Sequence, residues 1–171
     1  LAAMEALFET RRAAPLLIGG WPDVENRRVR YGLEIPAGLS LLAFHDPEAE
    51  VKGLDQVARE DWPNVPVVHL AFQIMVGLGT VLALVGVWSG WTLFRRREIA
   101  THRWLLRAIA LSAPMGFIAI EAGWTVTEVG RQPWVISGVL RTSEAVTPMP
   151  GLAYTFLGFT LLYLFLGVVV V

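Results

Sequence analysis

The sequence contains no cysteine and carries little charge. The absence of cysteine among its 171 residues excludes a disulfide framework and a thiolate metal site. Charged residues make up 17% of the chain, compared with about 25% in an ordinary soluble domain. The net charge is −1, so the basic excess of nucleic-acid-binding domains is missing and we expect no nucleic-acid partner. The composition is instead 54% hydrophobic, with seven tryptophans.

The apolar residues are concentrated in three long runs. Residues 65–94 and 151–171 contain no Asp, Glu, Lys or Arg, and a third run at 104–128 contains Arg107 and Pro114. Because a bilayer core of about 30 Å needs about 20 helical residues, we predict transmembrane helices at 65–94, 104–128 and 150–171. The predicted fold class is an all-α polytopic membrane protein.

The ends of the sequence suggest that more chain belongs to this protein. It begins at Leu1 rather than at a methionine, and it stops inside the apolar run "LFLGVVVV". We therefore expect the three helices to be part of a larger helical bundle.

Basic residues predict how the helices are oriented. The segment 95–103 contains four arginines in nine residues, whereas the connection 129–149 contains two. The positive-inside rule therefore predicts that 95–103 is cytoplasmic. The mixed polar segment 1–64 and the connection 129–149 are then extracytoplasmic.

The second predicted helix carries two acids inside its apolar run. Glu121, Trp124 and Glu128 follow a spacing of three and four residues, which places them on one helical stripe. An ionisable side chain at the bilayer centre costs roughly 2.5–3.5 kcal/mol on insertion scales. We therefore expect the stripe to face a protein interior. Three interpretations are open: structural satisfaction by partner helices, a proton relay, or a metal cofactor.

The first predicted helix carries polar groups at a matching depth. His69 and Gln73 are four residues apart and share a face, and Met75 lies about 15 Å below the helix start. Glu121, nine residues before Gly130, has a similar depth, which suggests one shared site. A lone methionine in a helix is more often packing than a ligand, and a lone histidine near a helix end is more often hydrogen-bonded at the interface.

The motif "GRQPW" follows the second helix at residues 130–134. One interpretation is a helix-terminating turn with Trp134 as an interfacial anchor. The other is that the forked guanidinium of Arg131 clamps a carboxylate-bearing ligand.

These motifs resemble those of one family along the whole chain. "EAGWTVTEVGRQPW" is similar to the signature of subunit I of the cytochrome bd quinol oxidases. "LAAMEALFET" and "IPAGLSLLAFHDPEAEVKGLD" resemble its quinol-binding loop in the short version, and "VHLAFQIMVGLGT" resembles the helix that follows. The resemblance identifies the chain as a carboxy-terminal part of that subunit.

The resemblance implies an enzyme of the bacterial plasma membrane that oxidises membrane quinol and reduces O2 to water without pumping protons. The implied cofactors are a low-spin haem b, a high-spin haem b and a haem d. Met75 matches a ligand of the low-spin haem iron, and Glu128 matches a ligand of a high-spin haem iron. Trp124 matches the tryptophan packed between cofactors, Glu5 a proton-accepting residue of the quinol loop, and Arg131 is expected to contact a propionate.

Gln73 stands where many members carry arginine, so we expect the low-spin haem potential to depend less on that cofactor-binding position here. A second subunit and the family's amino-terminal helices are expected partners, and without them the chain should be inactive. The alternative function is a haem-free transporter module in which Glu121 and Glu128 carry protons or bind a cation.

Overall fold

A computed structural model describes residues 1–95, 99, 102–146 and 148–170. Most of the predicted basic loop 95–103 lies outside the described residues, as do residues 147 and 171. Three helical stretches in the described part are long and apolar enough to cross a membrane: Val65–Phe94, Arg103–Arg131 and Leu152–Val170. The prediction of a mostly helical membrane protein with three spans is confirmed.

The longest helix begins with local signals in the sequence. Helix α2 spans Val65–Phe94, after the short helix α1 at Gly38–Phe44. The Asn64 side chain accepts a hydrogen bond from the backbone N–H of Val67, and Pro66 occupies the first turn. Proline suits this position because its missing N–H would have no intrahelical partner there.

The second span is broken by a proline. It consists of α3 at Arg103–Ser112 and α4 at Met115–Arg131, with Ala113 and Pro114 between them. Proline lacks a backbone N–H and its ring clashes with the carbonyl four residues earlier, so the helix restarts at this point. The last helix, α5, spans Leu152–Val170 and has no buried residue along this described range.

Helices α2 and α4 pack side by side with glycines at the contact. A methyl group on Gly130 would lie 3.7 Å from Val68, and one on Gly123 would lie 3.0 Å from the Met75 sulfur. The later residue on α2, Met75, contacts the earlier glycine on α4, Gly123, so the two helices are antiparallel. The pairing fixes the relative depth of every residue on α2 and α4.

Residues 1–64 fold as a compact cap beside the start of α2. Residues 6–8 contribute to two buried clusters. Ala6 and Phe8 pack with Leu54 and Val65, whereas Leu7 belongs to the second hydrophobic cluster. The cap also contains short antiparallel pairs, a minor addition to the predicted helical fold. The strands are β1 Arg11–Arg12, β2 Leu16–Ile18, β3 Trp21–Asp23, β4 Arg28–Arg30, β5 Leu33–Ile35 and β6 Glu50–Val51, paired as β1–β6, β2–β5 and β3–β4.

Candidate functional site

Glu5 carries a buried carboxyl group in the cap. Its exposed fraction is 3%, and its Oε2 atom has no hydrogen-bond partner within the described part of the chain. Burial raises the pKa of this carboxyl above 4.5, and the backbone of Leu17 opposes the shift by hydrogen bonding. A buried acid without a full set of partners is unusual in a purely structural role, since each such group carries a desolvation cost.

Glu5 lies at the wall of a large, mostly apolar cavity. The cavity has a volume of about 780 Å³ and lies between β2 and the amino-terminal half of α2. Its polar lining groups include Glu5, Gln73 and Thr80, and the rest is mostly aliphatic. The other lining residues are Leu16, Leu17, Ile18, Gly19, Leu42, Leu70, Phe72, Ile74, Val76 and Gly77. A cavity of this size and lining suits an apolar ligand with a few polar atoms.

His69 and Gln73 attach the cap to α2. The His69 ring is fully buried, with Nδ1 at 2.8 Å from the carbonyl oxygen of Met4 and Nε2 at 3.3 Å from that of Gly19. The Gln73 amide donates to the carbonyl of Leu17 and accepts from the N–H of Gly19, both at 3.0 Å. The shared face of these two residues was visible in the sequence, but their partners were not.

Met75 lies at the contact between α2 and α4. Its sulfur is directly opposite Gly123, where the absence of a Cβ leaves room for it. Glu121 is two residues from Gly123, or about 3 Å along the axis, so the predicted match in depth is confirmed. At about 100° per residue, Glu121 itself points about 160° away from the Gly123 side of α4, so the described chain does not bring Met75 and Glu121 together. Glu128 points about 140° away from the Gly123 side of α4.

The acidic stripe of α4 faces outward in this chain. Glu121, Trp124 and Glu128 are all exposed, and the exposed fraction of Trp124 is 63%. Arg131, the last residue of α4, is also exposed and lies three residues beyond Glu128. The stripe is therefore free to contact groups outside the described residues.

The "GRQPW" motif leads into a hairpin that reaches back to the cap. Strand β7 at Trp134–Ile136 pairs with β8 at Leu140–Arg141. The Arg141 guanidinium stacks on the Trp134 ring, 4.8 Å from its centroid, and donates to Asp61 at 2.8 Å. Nothing in the sequence indicated that Arg141 pairs with a residue 80 positions away.

The two candidate metal donors lie on different helices and point in different directions, Met75 on α2 toward Gly123 and Glu128 on the exposed side of α4. The described residues contain no cluster of three His, Cys, Asp or Glu side chains suited to a metal ion. A thioether at one face and a carboxylate at another can each supply one bond to a separate metal cofactor. The fold defines a helical membrane protein in which Met75 and Glu128 each offer one possible metal donor.

Comparison with known proteins identifies the family. The profile of cytochrome bd terminal oxidase subunit I matches residues 1–171. The chain is 41% identical, over its whole length, to a Bacillus subtilis (strain 168) protein named as a proposed cytochrome bd menaquinol oxidase subunit I, of which it covers 38%. It is 32% identical, over 87% of its length, to the cytochrome bd ubiquinol oxidase subunit 1 of the same organism, of which it covers 34%.

A solved structure agrees with these relatives. The bd oxidase from Geobacillus thermodenitrificans superposes on 98% of the chain with a TM-score of 0.83 and 37% identity, over 38% of the solved chain. The chain belongs to the cytochrome bd terminal oxidase subunit I family. It spans between a third and two fifths of the length of these two Bacillus subtilis relatives. Membership of this family does not favour the alternative function, a haem-free transporter module.

Membership of a cytochrome family implies haem cofactors, and the donors of this chain suit them. The Met75 thioether is a soft neutral ligand of the kind that binds haem iron. Its sulfur has space beside Gly123, and the Glu128 carboxylate is exposed on another face of α4. Because neither residue is buried by its own chain, both side chains are available to a group held between these and further helices.

Proposed function

We propose that this chain takes part in the oxidation of membrane quinol and the reduction of O2 to water by a terminal respiratory oxidase. The observation that carries the proposal is the buried carboxyl of Glu5, one oxygen of which has no hydrogen-bond partner in the described chain. This carboxyl lies at the wall of an apolar cavity, and α2, the helix that contains Met75, also lines that cavity. A quinol needs these features together: a base for its hydroxyl protons, an apolar surface for its tail and a nearby electron acceptor.

Glu5 is proposed as the proton acceptor for the quinol. Oxidation of one quinol releases two protons and two electrons, and reduction of one O2 to two waters consumes four of each, so two quinols serve one O2. The ionised Glu5 carboxylate accepts a hydroxyl proton, and its burial strengthens its hold on that proton. The aliphatic cavity wall excludes water and binds the apolar part of the quinol.

Met75 and Glu128 are proposed as ligands of two different haem irons. Separate sites are supported because Met75 faces the Gly123 side of α4 whereas Glu128 points about 140° away from that side. Along the helix axis Glu128 lies level with Leu70, about 7.5 Å from Met75. The haems, when bound, carry electrons one at a time and activate O2. We assign Met75 to a low-spin haem b and Glu128 to one of a high-spin haem b and a haem d.

Two residues near Glu128 are proposed to contact the same cofactors. Trp124 is a large exposed aromatic one turn before Glu128, suited to pack against a flat macrocycle. Arg131 lies one turn after Glu128 and can bind a propionate through its fork of donors. Gln73 was also predicted to bind a cofactor, and in the described chain its amide bonds to the cap backbone at Leu17 and Gly19.

The proposed topology places the cap 1–64 and the connection 129–149 outside and the arginine-rich segment 95–103 in the cytoplasm. Support comes from the Arg141–Asp61 ion pair, which joins the two segments on one side of the helices. The proposed partners are quinol, O2, a second oxidase subunit and further helices of the same subunit, which contribute the remaining haem ligands. The proposed location is the bacterial plasma membrane.

Substitution of Gly123 should disturb the low-spin haem. In Gly123→Ala the new methyl group would lie 3.0 Å from the Met75 sulfur, so the sulfur must move. We expect a shifted or weakened low-spin haem b band in the reduced-minus-oxidised spectrum of the complete oxidase. Gly116→Ala, on the same helix with no described atom within 4 Å of the new methyl, is the matched control and should leave the band unchanged. Equal spectra for the two variants would contradict the contact.

Quinol-dependent oxygen uptake tests the proposed function. Membranes that carry the complete oxidase with this subunit should consume one O2 for every two quinols oxidised and should show haem bands. Matched membranes without the subunit should show neither. Haem-free membranes, or haem-containing membranes that consume no O2 with either ubiquinol or menaquinol, would overturn the proposal.

A further inference from the structure

The backbone of β2 has one edge paired with β5 and the other edge turned toward α2. On the α2 side, the carbonyl of Leu17 and the N–H of Gly19 flank Ile18 and point at a single side chain, Gln73. A neighbouring parallel strand would use one carbonyl and one N–H in the same way. The Gln73 amide thus takes the place of a strand partner along this edge.

An amide side chain is matched to this pair of bonds. Glutamine has both an NH2 donor and a carbonyl acceptor, whereas arginine and lysine only donate and an ionised carboxylate only accepts. The two bonds are each 3.0 Å long and join residues 54 and 56 positions apart. A glutamine at this position is therefore suited to the cap rather than to an anionic propionate.

His69 holds the same region one turn earlier on α2. Its ring lies between the carbonyl oxygens of Met4 and Gly19 and is fully buried. Met4 directly precedes Glu5, and Gly19 is the residue that Gln73 also binds. Together the two side chains attach β2 and the backbone next to Glu5, which both border the cavity, to the helix that carries Met75, two residues beyond Gln73.

We propose that Gln73 and His69 are positioning residues that hold strand β2 and the Met4–Glu5 backbone against α2, and so set the geometry of the cavity in which quinol is oxidised. Neither residue exchanges a proton or an electron with the quinol. The catalytic part of the proposal rests on the proposed function, and the attachment of the cap to α2 does not.

Hydrogen–deuterium exchange tests the attachment without reference to quinol. In the complete oxidase, Gln73→Leu removes both bonds, and the peptide covering residues 16–20 should exchange at least about 10-fold faster. Gln73→Glu keeps an acceptor for Gly19 and loses the donor for Leu17, so the exchange rate of this peptide should lie between those of wild type and Gln73→Leu. Ser89→Ala is the matched control, since the Ser89 hydroxyl bonds to Val85 of its own helix. Unchanged exchange in Gln73→Leu would overturn the proposal.

The histidine is tested by a second pair of variants. His69→Phe keeps the ring volume and removes both polar contacts, whereas His69→Asn keeps a donor placed for the Met4 carbonyl. The peptide containing Met4 and Glu5 should exchange at least about 10-fold faster in His69→Phe and should recover at least partly in His69→Asn. Equal protection in wild type and His69→Phe would contradict the role of His69. The asparagine variant also keeps the test decisive if the phenylalanine variant does not assemble.

Quinol kinetics separate positioning from chemistry. Gln73→Leu should raise the KM for quinol about 10-fold or more, reduce kcat by less than that factor, and leave the dithionite-reduced haem spectrum as in wild type. A large fall in kcat at unchanged KM would overturn the positioning role. If the wild-type oxidase did not use quinol, the proposed function would fail, whereas the exchange measurements would still decide whether Gln73 attaches the cap.

Discussion

Replacing Met75 with leucine should remove the low-spin haem b band from the complete oxidase while the haem d band remains. The thioether sulfur is the atom of the side chain that can bond to iron, and leucine has a similar volume without that donor. An exchange of methionine for leucine usually costs less than about 1.5 kcal/mol of stability, so the subunit should still fold. The measurement is a reduced-minus-oxidised difference spectrum of membranes.

Met115→Leu provides the matched control for Met75. Met115 begins α4, and the change removes a thioether from the second span rather than from the contact with Gly123. Its spectrum should equal that of wild type, and quinol-dependent oxygen uptake should persist. A low-spin band of full intensity in Met75→Leu would mean that another residue supplies the iron bond.

Replacing Glu5 with glutamine should reduce the rate of quinol oxidation by about 10² to 10⁴, the range typical for loss of a general base. The amide is nearly isosteric and cannot accept the hydroxyl proton. The haem bands after chemical reduction should be unchanged, because the substitution lies in the cap rather than at a proposed iron ligand. Glu9→Gln is the control, since Glu9 is an exposed acid four residues along the same segment.

The raised pKa of Glu5 predicts how the rate of quinol oxidation changes with pH. A base accepts a proton only when ionised, and burial raises the pKa of Glu5 above 4.5. The rate of quinol oxidation should therefore fall as pH drops through a window that lies above 4.5, and this acid limb should be absent in Glu5→Gln. An identical acid limb in both enzymes would show that a different group accepts the proton.

The same shift predicts an effect on stability. The folded state binds the Glu5 proton more tightly than the unfolded state does, so the stabilising contribution is complete below the unfolded pKa and is lost as pH rises through the folded pKa. Glu5→Gln keeps the carboxyl site neutral at every pH. At neutral pH it should unfold no more readily than wild type.

The sequence was sufficient for features with a local cause. The charge-free run from Val65 to Phe94 predicted α2, and the spacing of Glu121, Trp124 and Glu128 predicted their common face. Hydrophobic length and helical period depend only on neighbouring residues, so both can be found without partners. The match in depth between Met75 and the second span also followed from helical rise.

Features that depend on distant partners were not predictable in this way. Three sets of contacts join segments more than fifty residues apart: the two bonds of Gln73, the contact of the buried His69 ring with Met4, and the Arg141–Asp61 pair. Their geometry follows from the packing of the cap against α2 rather than from any local pattern. The one-site interpretation could not be derived either, because depth along a helix does not specify direction around it.

The most direct test of the central claim is a structure of the complete oxidase with its haems bound. We predict that the Met75 sulfur and a Glu128 carboxylate oxygen lie within bonding distance of two different haem irons, with Trp124 against a macrocycle. If either side chain instead faces lipid, or if both lie far from every porphyrin, the proposed haem ligation is wrong.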